Sequence, residues 1–492
     1  MLSRLLVDLL KYAPSQLAPL LRAFLAIPIY TRVFTPEQYG MYSITLAVVN
    51  VMTLINGWIG TSIIRFYPEY EQQQRLPAFN TTIWTTWLLS SAMILMGMAI
   101  LRSQIPLLQR LQHLFYWGLL LFPLLSAQTM NYHYFRIQKR PLGYTTAHLA
   151  LTLLTIGLNL TLIFVFHVGV EALLMGNILA LLLVLPWLWR WTVNGHFRPL
   201  QYETALLKKA LKYGIPLALG NLSNWILHLS DRFLLEHFLG FATVGVYATS
   251  YFLAERSMMI LVNILFLGYW PFIVRLWEEE GAEATYRAYR KLLSTYLALA
   301  TLAVFLLAFL AHDVLRILLG KSFVRGYIIV PWVAMGFLLF GLQQLFQTGL
   351  IVHKTTRPIA GSIFTAGLLN IGLNILLIPK WGMVGAAVAS FLSYLVLNLL
   401  ILSFSRRRFP AGLPLRFWGS YLAGIAPLVS LIVARYLWES RLHFAVWYPL
   451  GAGAVVLFLG TLSTSGELRW GDLLRTLRQK VQGKLHGNGV EP

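Results

Sequence analysis

The chain has no cysteine, and charged side chains make up only 12% of its 492 residues. The absence of cysteine excludes disulfide bonds, thiolate metal sites and cysteine nucleophiles. So little charge also excludes an ordinary soluble domain, in which about a quarter of the residues are charged. Most of the molecular surface must therefore face a solvent other than water.

Apolar residues are abundant instead, at 58% of the chain. They occur in runs of roughly 20 residues, the length that a helix needs to cross the hydrocarbon core of a bilayer. Strands are excluded because the runs lack the alternation of a closed barrel. The sequence therefore predicts an all-α integral membrane protein with fourteen spans. These begin near Tyr12, Gln38, Pro77, Leu111, Tyr144, Val170, Tyr213, Phe241, Leu292, Tyr327, Ile359, Met383, Phe417 and His443.

The net charge of +21 follows the membrane topology. Lysine and arginine lie in small groups between the apolar runs, as at Arg406 to Arg408. With the N-terminus inside, most of them fall on the cytoplasmic side, as in multi-pass proteins of the bacterial inner membrane. The pattern predicts cytoplasmic termini and no nucleic-acid partner. No motif in the sequence predicts a cofactor or a metal site.

Short motifs recur in the same order along the two halves of the chain. Gly40 after the first span is echoed by Gly245, and the run from Ile156 to Asn159 is repeated from Ile371 to Asn374. The predicted domains are an N-terminal lobe (1–200), a C-terminal lobe (201–405), two further helices (406–465) and an amphipathic basic tail on the cytoplasmic leaflet (466–492). An even number of spans separates the matching motifs, so the lobes share one orientation about a pseudo-twofold axis and enclose a central cavity.

Two stretches resemble the bacterial polysaccharide flippases, namely the run from Arg32 to Tyr42 with Ile64 to Tyr70, and the run from Asn370 to Ala387. That family shares a superfamily with multidrug and toxin extruders and lipid II flippases. The resemblance implies a non-enzymatic transporter that moves an undecaprenyl-diphosphate-linked oligosaccharide to the outer leaflet by alternating access. The implied cargo is a unit of O-antigen lipopolysaccharide, capsule or exopolysaccharide. The implied partners are this lipid-linked glycan, membrane lipid, and the polymerase and glycosyltransferases of its pathway.

Arg22 in span 1 and Arg256 in span 8 lie near the middle of apolar runs. A cation at such depth is costly and marks a functional site by default. Both are predicted to contact the cargo diphosphate. The alternative is that a carboxylate, Glu255 or Asp231, neutralises them.

Other polar residues complete the predicted site. Hydrogen bonding or stacking to the sugars is predicted for Asn50, Asn56, Gln128, Asn131, Asn224, Gln344 and Tyr251, with interhelical bonding as the alternative for the amides. Arg65 either lies where the cargo headgroup enters the protein or is an ordinary basic residue that sets the membrane topology. Asp231 with Arg232 forms a gate or an interfacial pair, Glu255 is a candidate for coupling, and Pro28 for a bend in span 1.

Three rival functions remain open from the sequence. A lipid II flippase differs only in its cargo. A cation-coupled drug extruder is expected to carry an acid in the N-terminal lobe, and span 1 has Arg22 instead. A glycan polymerase or ligase is expected to need a large outer loop, and no loop here exceeds about two dozen residues.

Overall fold

The computed structural model describes residues 20–193, 195–198, 200–266, 269–438 and 444–464. The side chains at 22, 23, 219–224, 438, 444 and 445 lie outside that description. Within the described ranges every regular element is a helix. The predicted tail helix (466–492) falls outside them.

The helices follow one another with short connections. A π-helical turn, Arg22–Ala26, precedes α1. The first eight helices are α1 Ile27–Val33, α2 Pro36–Ile55, α3 Trp58–Gln72, α4 Leu76–Gln104, α5 Pro106–Arg110, α6 His113–Ile137, α7 Pro141–Phe164 and α8 Ala172–Val193. The others are α9 Thr204–Leu239, α10 Phe241–Phe266, α11 Tyr269–Glu279, α12 Gly281–Leu318, the 3₁₀ helix Lys321–Ile329, α13 Val330–Phe346, α14 Thr348–Val352, α15 Arg357–Ser405, α16 Leu415–Trp438 and α17 Phe444–Ser463.

Ten described stretches are long and apolar enough to cross a membrane. One of them, α15, holds two helices that meet at Gly382, where φ is 59°. Helices α6 and α9 have 25 and 36 residues and so also reach across a bilayer. Thirteen of the fourteen predicted spans thus contain a described helix, and α1 is the described end of the first, most of which lies outside the described residues. The predicted all-α membrane fold is confirmed.

A capping box fixes the turn between α1 and α2. The Thr35 hydroxyl accepts from the Gln38 backbone N–H at 3.3 Å, and the Gln38 side chain accepts from the Thr35 N–H at 3.0 Å. Pro36 occupies the first helical position, where its missing N–H costs nothing. This start sets the register of α2 and the position of Gly40 on it.

The chain divides into two compact units. The first comprises residues 1–260, 312–333 and 360–397, and the second comprises 261–311, 334–359 and 398–492. Within the second, Phe409 packs edge-on against Tyr286 and Tyr289, with ring centroids 4.8 and 5.1 Å apart. The lobes drawn from the repeat, 1–200 and 201–405, stay a prediction.

Within the first unit, an asparagine of the fifth predicted span of each lobe contacts the first span of that lobe. The Asn159 amide of α7 lies 2.8 Å from the Tyr30 hydroxyl of α1. The Asn370 amide of α15 accepts from the Ser230 hydroxyl of α9 at 3.1 Å. The two contacts are similar but not equivalent, because the repeat matches Asn159 to Asn374, one helical turn after Asn370.

Candidate functional site

A group of buried polar residues lies where α9 meets α10. Asp231 is 1% exposed, and its Oδ2 accepts a hydrogen bond from the Tyr247 hydroxyl. The Tyr251 ring lies 5.6 Å from that of Tyr247, and the Arg232 guanidinium lies 5.7 Å from the Tyr251 ring centre. Asp231 Oδ1 has no hydrogen-bond partner among the described residues. We call Asp231, Arg232, Tyr247 and Tyr251 the Asp231 cluster.

Arg256 follows one turn further along α10. Its guanidinium lies 3.5 Å from a Glu255 carboxylate oxygen and 4.7 Å from the Phe252 ring centre. The two charged side chains are 30% and 21% exposed. Because a guanidinium carries five N–H donors, this single long ion pair leaves donors of Arg256 for another anion. Glu255, the alternative partner predicted from the sequence, therefore contacts Arg256 but does not engage all of its N–H donors.

Further polar contacts join α9 to α15. His228 lies 3.1 Å through Nε2 from the Tyr394 hydroxyl. Asn370, which bonds Ser230, also accepts from the Asn374 amide at 3.0 Å. Tyr394 and Asn370 are not among the site residues predicted from the sequence. The signal available for Asn370 was its spacing of four residues from Asn374, which places both on one helix face.

Asn56 and Asn131 make interhelical bonds. Asn56 is 2% exposed; it donates to Ser91 and Ser126 at 3.0 Å each and accepts from Ser90 at 2.7 Å. Asn131 is fully buried and accepts from the Thr192 hydroxyl. Interhelical bonding of this kind is the alternative to sugar binding that the sequence allowed for both amides.

Replacing Asn56 with alanine should destabilise the protein. The change removes the N–H donor to the Ser91 and Ser126 hydroxyl oxygens and the acceptor of the Ser90 hydroxyl, and it empties a buried site, at an expected cost of about 1–3 kcal/mol. Thermal unfolding in detergent measures it, with the exposed Asn50→Ala on the same helix as control. A melting temperature equal to that of the control variant would show that the Asn56 bonds contribute nothing.

The remaining predicted residues lie elsewhere. The Gln128 amide donates to the Tyr132 hydroxyl at 2.8 Å, and Gln344, in the second unit, accepts from Gln347 at 2.8 Å. Asn50 and Arg65 are exposed, Arg65 with its guanidinium 5.7 Å from the Phe66 ring centre.

Two predicted residues, Arg22 and Asn224, have side chains outside the described part of the chain. Arg22 begins the π-helical turn. Pro28 is the second residue of α1, and its carbonyl accepts from the Arg32 guanidinium at 3.1 Å. The first span is irregular just before Pro28, because the π-helical turn ends at Ala26 and α1 begins at Ile27.

Gly40 of α2 and Gly245 of α10 cross in direct backbone contact. A Cβ added to Gly40 would overlap the carbonyl oxygen of Phe241, and one added to Gly245 would overlap that of Pro36. Each clashing carbonyl lies four residues before the opposite glycine, so the contact is reciprocal. Reciprocity of this kind is the mark of a twofold relation. It supports the axis that the repeat predicts. We call this contact the Gly40–Gly245 crossing.

Three more contacts join the predicted lobes in the same region. The Arg32 guanidinium donates to the Ile317 carbonyl at 2.7 Å. The Gly320 N–H donates to the Thr31 hydroxyl at 3.1 Å. The Arg110 guanidinium lies 2.6 Å from the Glu236 carboxylate, which is 4% exposed. The seam between the predicted lobes is thus closed at the end where α1 and α2 meet.

The described helices, most of them long enough to span a membrane and with ion pairs among them, define a multi-pass integral membrane protein. Residues 29–326 match the family described as polysaccharide biosynthesis protein. The chain belongs to this family.

One relative is the capsular polysaccharide biosynthesis protein CapF of Staphylococcus aureus, 27% identical over 45% of this chain and 56% of its own. The chain spans about half the length of the curated relatives it matches, 39% and 56% in two cases. Among solved structures, the lipid II flippase MurJ in an inward closed conformation has a TM-score of 0.71 at 13% identity, over 92% of this chain and 98% of its own. An inward-facing multidrug transporter of the MATE family has a TM-score of 0.64 at 14% identity, over 81% and 98%. These likenesses show the fold.

Proposed function

We propose that the protein is a flippase that carries an undecaprenyl-diphosphate-linked oligosaccharide from the cytoplasmic to the outer leaflet. It works in the bacterial cytoplasmic membrane with both termini inside. Membership in the polysaccharide biosynthesis family and a fold shared with a lipid II flippase support this assignment. Its glycan is a unit of O-antigen, capsule or exopolysaccharide, and the polymerase and glycosyltransferases of that pathway are its working partners.

The observation that carries the proposal is the Arg256–Glu255 pair. A diphosphate that leaves water for a membrane interior needs a buried cation, because a bare anion there is very costly. Arg256 lies in a spanning helix, is partly exposed, and keeps donors free of its single long ion pair. In the proposed cycle, the cargo diphosphate displaces Glu255 from Arg256. Arg22, which also lies near the middle of an apolar run, supplies the second cation.

Asp231 is the proposed coupling group. It is buried, its Oδ2 accepts a hydrogen bond from the Tyr247 hydroxyl, and Arg232 follows it in the chain. Burial disfavours the charged form of a carboxylate, and one oxygen of Asp231 lacks a described partner, so a proton or a cation would stabilise this group when the site changes shape. Such a group links cargo movement to an ion gradient in the alternating-access scheme.

Deleting the gene should cause a lipid-linked oligosaccharide to accumulate on the cytoplasmic face of the membrane. Lipid extraction followed by mass spectrometry identifies the sugar, and the cloned gene should abolish the accumulation. Accumulation of the peptidoglycan precursor would instead assign a lipid II flippase. Drug sensitivity without any accumulated glycan would assign an extruder and refute the proposal.

A further inference from the structure

An apolar cleft of about 630 Å³ opens within the first compact unit. Its lining comes from α2, α4, α5, α9 and α15, and apart from the Ser230 hydroxyl and the Trp225 indole N–H the described lining side chains are apolar. The volume falls within the range of about 300–1,000 Å³ that holds a single small ligand. Four of these helices, α2, α4, α9 and α15, are long enough to cross a membrane, and the apolar lining favours hydrocarbon over water as the occupant.

One rim of the cleft is cationic. Ile105, Leu107 and Leu108 line it from the linker between α4 and α6. Arg102 and Arg110 flank this linker next to the residues that line the cleft. The Arg102 guanidinium donates to the Tyr116 hydroxyl, and the Arg110 side chain, 53% exposed, pairs with Glu236, so these three charged groups carry one net positive charge. A cleft that is apolar inside and cationic at its rim matches an amphiphile with one anionic headgroup and a hydrocarbon chain.

The size of the cleft favours an ordinary membrane lipid over the cargo. A single acyl chain suits a cavity of this volume, whereas a long polyprenyl chain greatly exceeds it. The lining also joins α2 and α4, from the predicted N-terminal lobe, to α9 and α15, from the predicted C-terminal lobe. A bound chain would therefore contact both predicted lobes at once.

We propose that this cleft binds one acyl chain of an anionic phospholipid, whose phosphate is held by Arg102 and Arg110. The lipid acts as a wedge that stabilises the described arrangement of α2, α4, α9 and α15. This inference does not depend on the identity of the cargo, because it concerns a lipid that stays with the protein.

Gly97 gives a direct way to fill the cleft. It lines the cleft from α4, and a Cβ added there would meet no described atom within 4 Å. Gly97→Phe should therefore occupy the space without breaking the fold. Gly157 on α7 is equally open but does not line the cleft, so Gly157→Phe is the matched control.

The experiment compares the full-length wild-type protein with both variants, purified in detergent and incubated with phosphatidylglycerol or phosphatidylcholine. Native mass spectrometry counts bound lipid, and thermal unfolding measures the stabilisation. We expect wild type and Gly157→Phe to retain phosphatidylglycerol and Gly97→Phe to bind it about tenfold more weakly, the size of a modest overpacking cost. Equal retention by all three proteins, or equal retention of the two lipids by the wild type, overturns the proposal.

Trp225 provides a second measurement that does not depend on the Gly97 variant. Its indole lines the cleft, so a phosphatidylglycerol with brominated acyl chains should quench its fluorescence. Because the chain has fifteen other tryptophans, the contribution of Trp225 is the difference in quenching between wild type and Trp225→Phe, and that variant should be quenched less. Quenching that is unchanged in that variant, or recovery of a lipid-linked glycan in place of the phospholipid, would show that the assigned occupant is wrong.

Discussion

Replacing Arg256 with alanine should reduce transport of a lipid-linked oligosaccharide about 10- to 100-fold, the loss expected when a charge-assisted hydrogen bond to the cargo is removed. The physical reason is that the variant offers no cation at this depth of α10 to a diphosphate. The measurement is translocation of a fluorescent polyprenyl-diphosphate oligosaccharide in proteoliposomes, at a cargo concentration below saturation.

Two matched variants separate charge from structure. Arg256→Lys keeps the charge but loses the forked geometry, so it should retain an intermediate rate. Glu255→Gln removes the competing carboxylate, so it should bind the cargo more tightly than the wild type does. A purely structural ion pair predicts a different pattern, in which both Arg256→Ala and Glu255→Gln lower the melting temperature and leave the apparent affinity unchanged.

Wild-type transport by a stably inserted Arg256→Ala protein would remove this arginine from the mechanism. The proposed function would survive that result if Arg22→Ala abolished transport instead. If neither Arg256→Ala nor Arg22→Ala reduced transport, the assignment of a diphosphate-carrying flippase would lose its physical basis.

The all-α fold and the spans were predictable from sequence because the bilayer imposes a length on every apolar run. The repeat was also visible, and Gly40 and Gly245 were matched within it. What the sequence did not reveal is that these two glycines meet. A match at equivalent positions indicates a common ancestor fold, whereas contact across an axis depends on the packing of helices 200 residues apart in the chain.

The polar residues were harder to interpret for a related reason. Asn56 and Asn131 look like cavity residues in an apolar run, but both face neighbouring spans. Their direction depends on which helices surround α2 and α6, and a single sequence carries little of that information. The Arg110–Glu236 pair was missed because its partners come from a linker and from the end of α9.

Placing valine at Gly245 should block closure of the seam and reduce transport at least about tenfold, because overpacking of a tight contact costs roughly 1–3 kcal/mol. The clash is with the backbone carbonyl of Pro36, so no side-chain rotation relieves it. Gly40→Val should have the same effect through Phe241, since the contact is reciprocal. Transport in proteoliposomes gives the rate.

A chain without native cysteine allows closure itself to be measured. Arg32→Cys with Ile317→Cys places thiols on two exposed positions that flank the closed seam, where the Arg32 guanidinium reaches the Ile317 carbonyl. A short bifunctional thiol reagent should cross-link this pair readily in an otherwise wild-type background and poorly when Gly245→Val is added. Gly157→Val, at an open helical position, is the control and should change neither cross-linking nor transport. If Gly245→Val cross-links and transports normally, the crossing does not limit the movement of the predicted lobes, and the alternating-access mechanism must place its closure elsewhere.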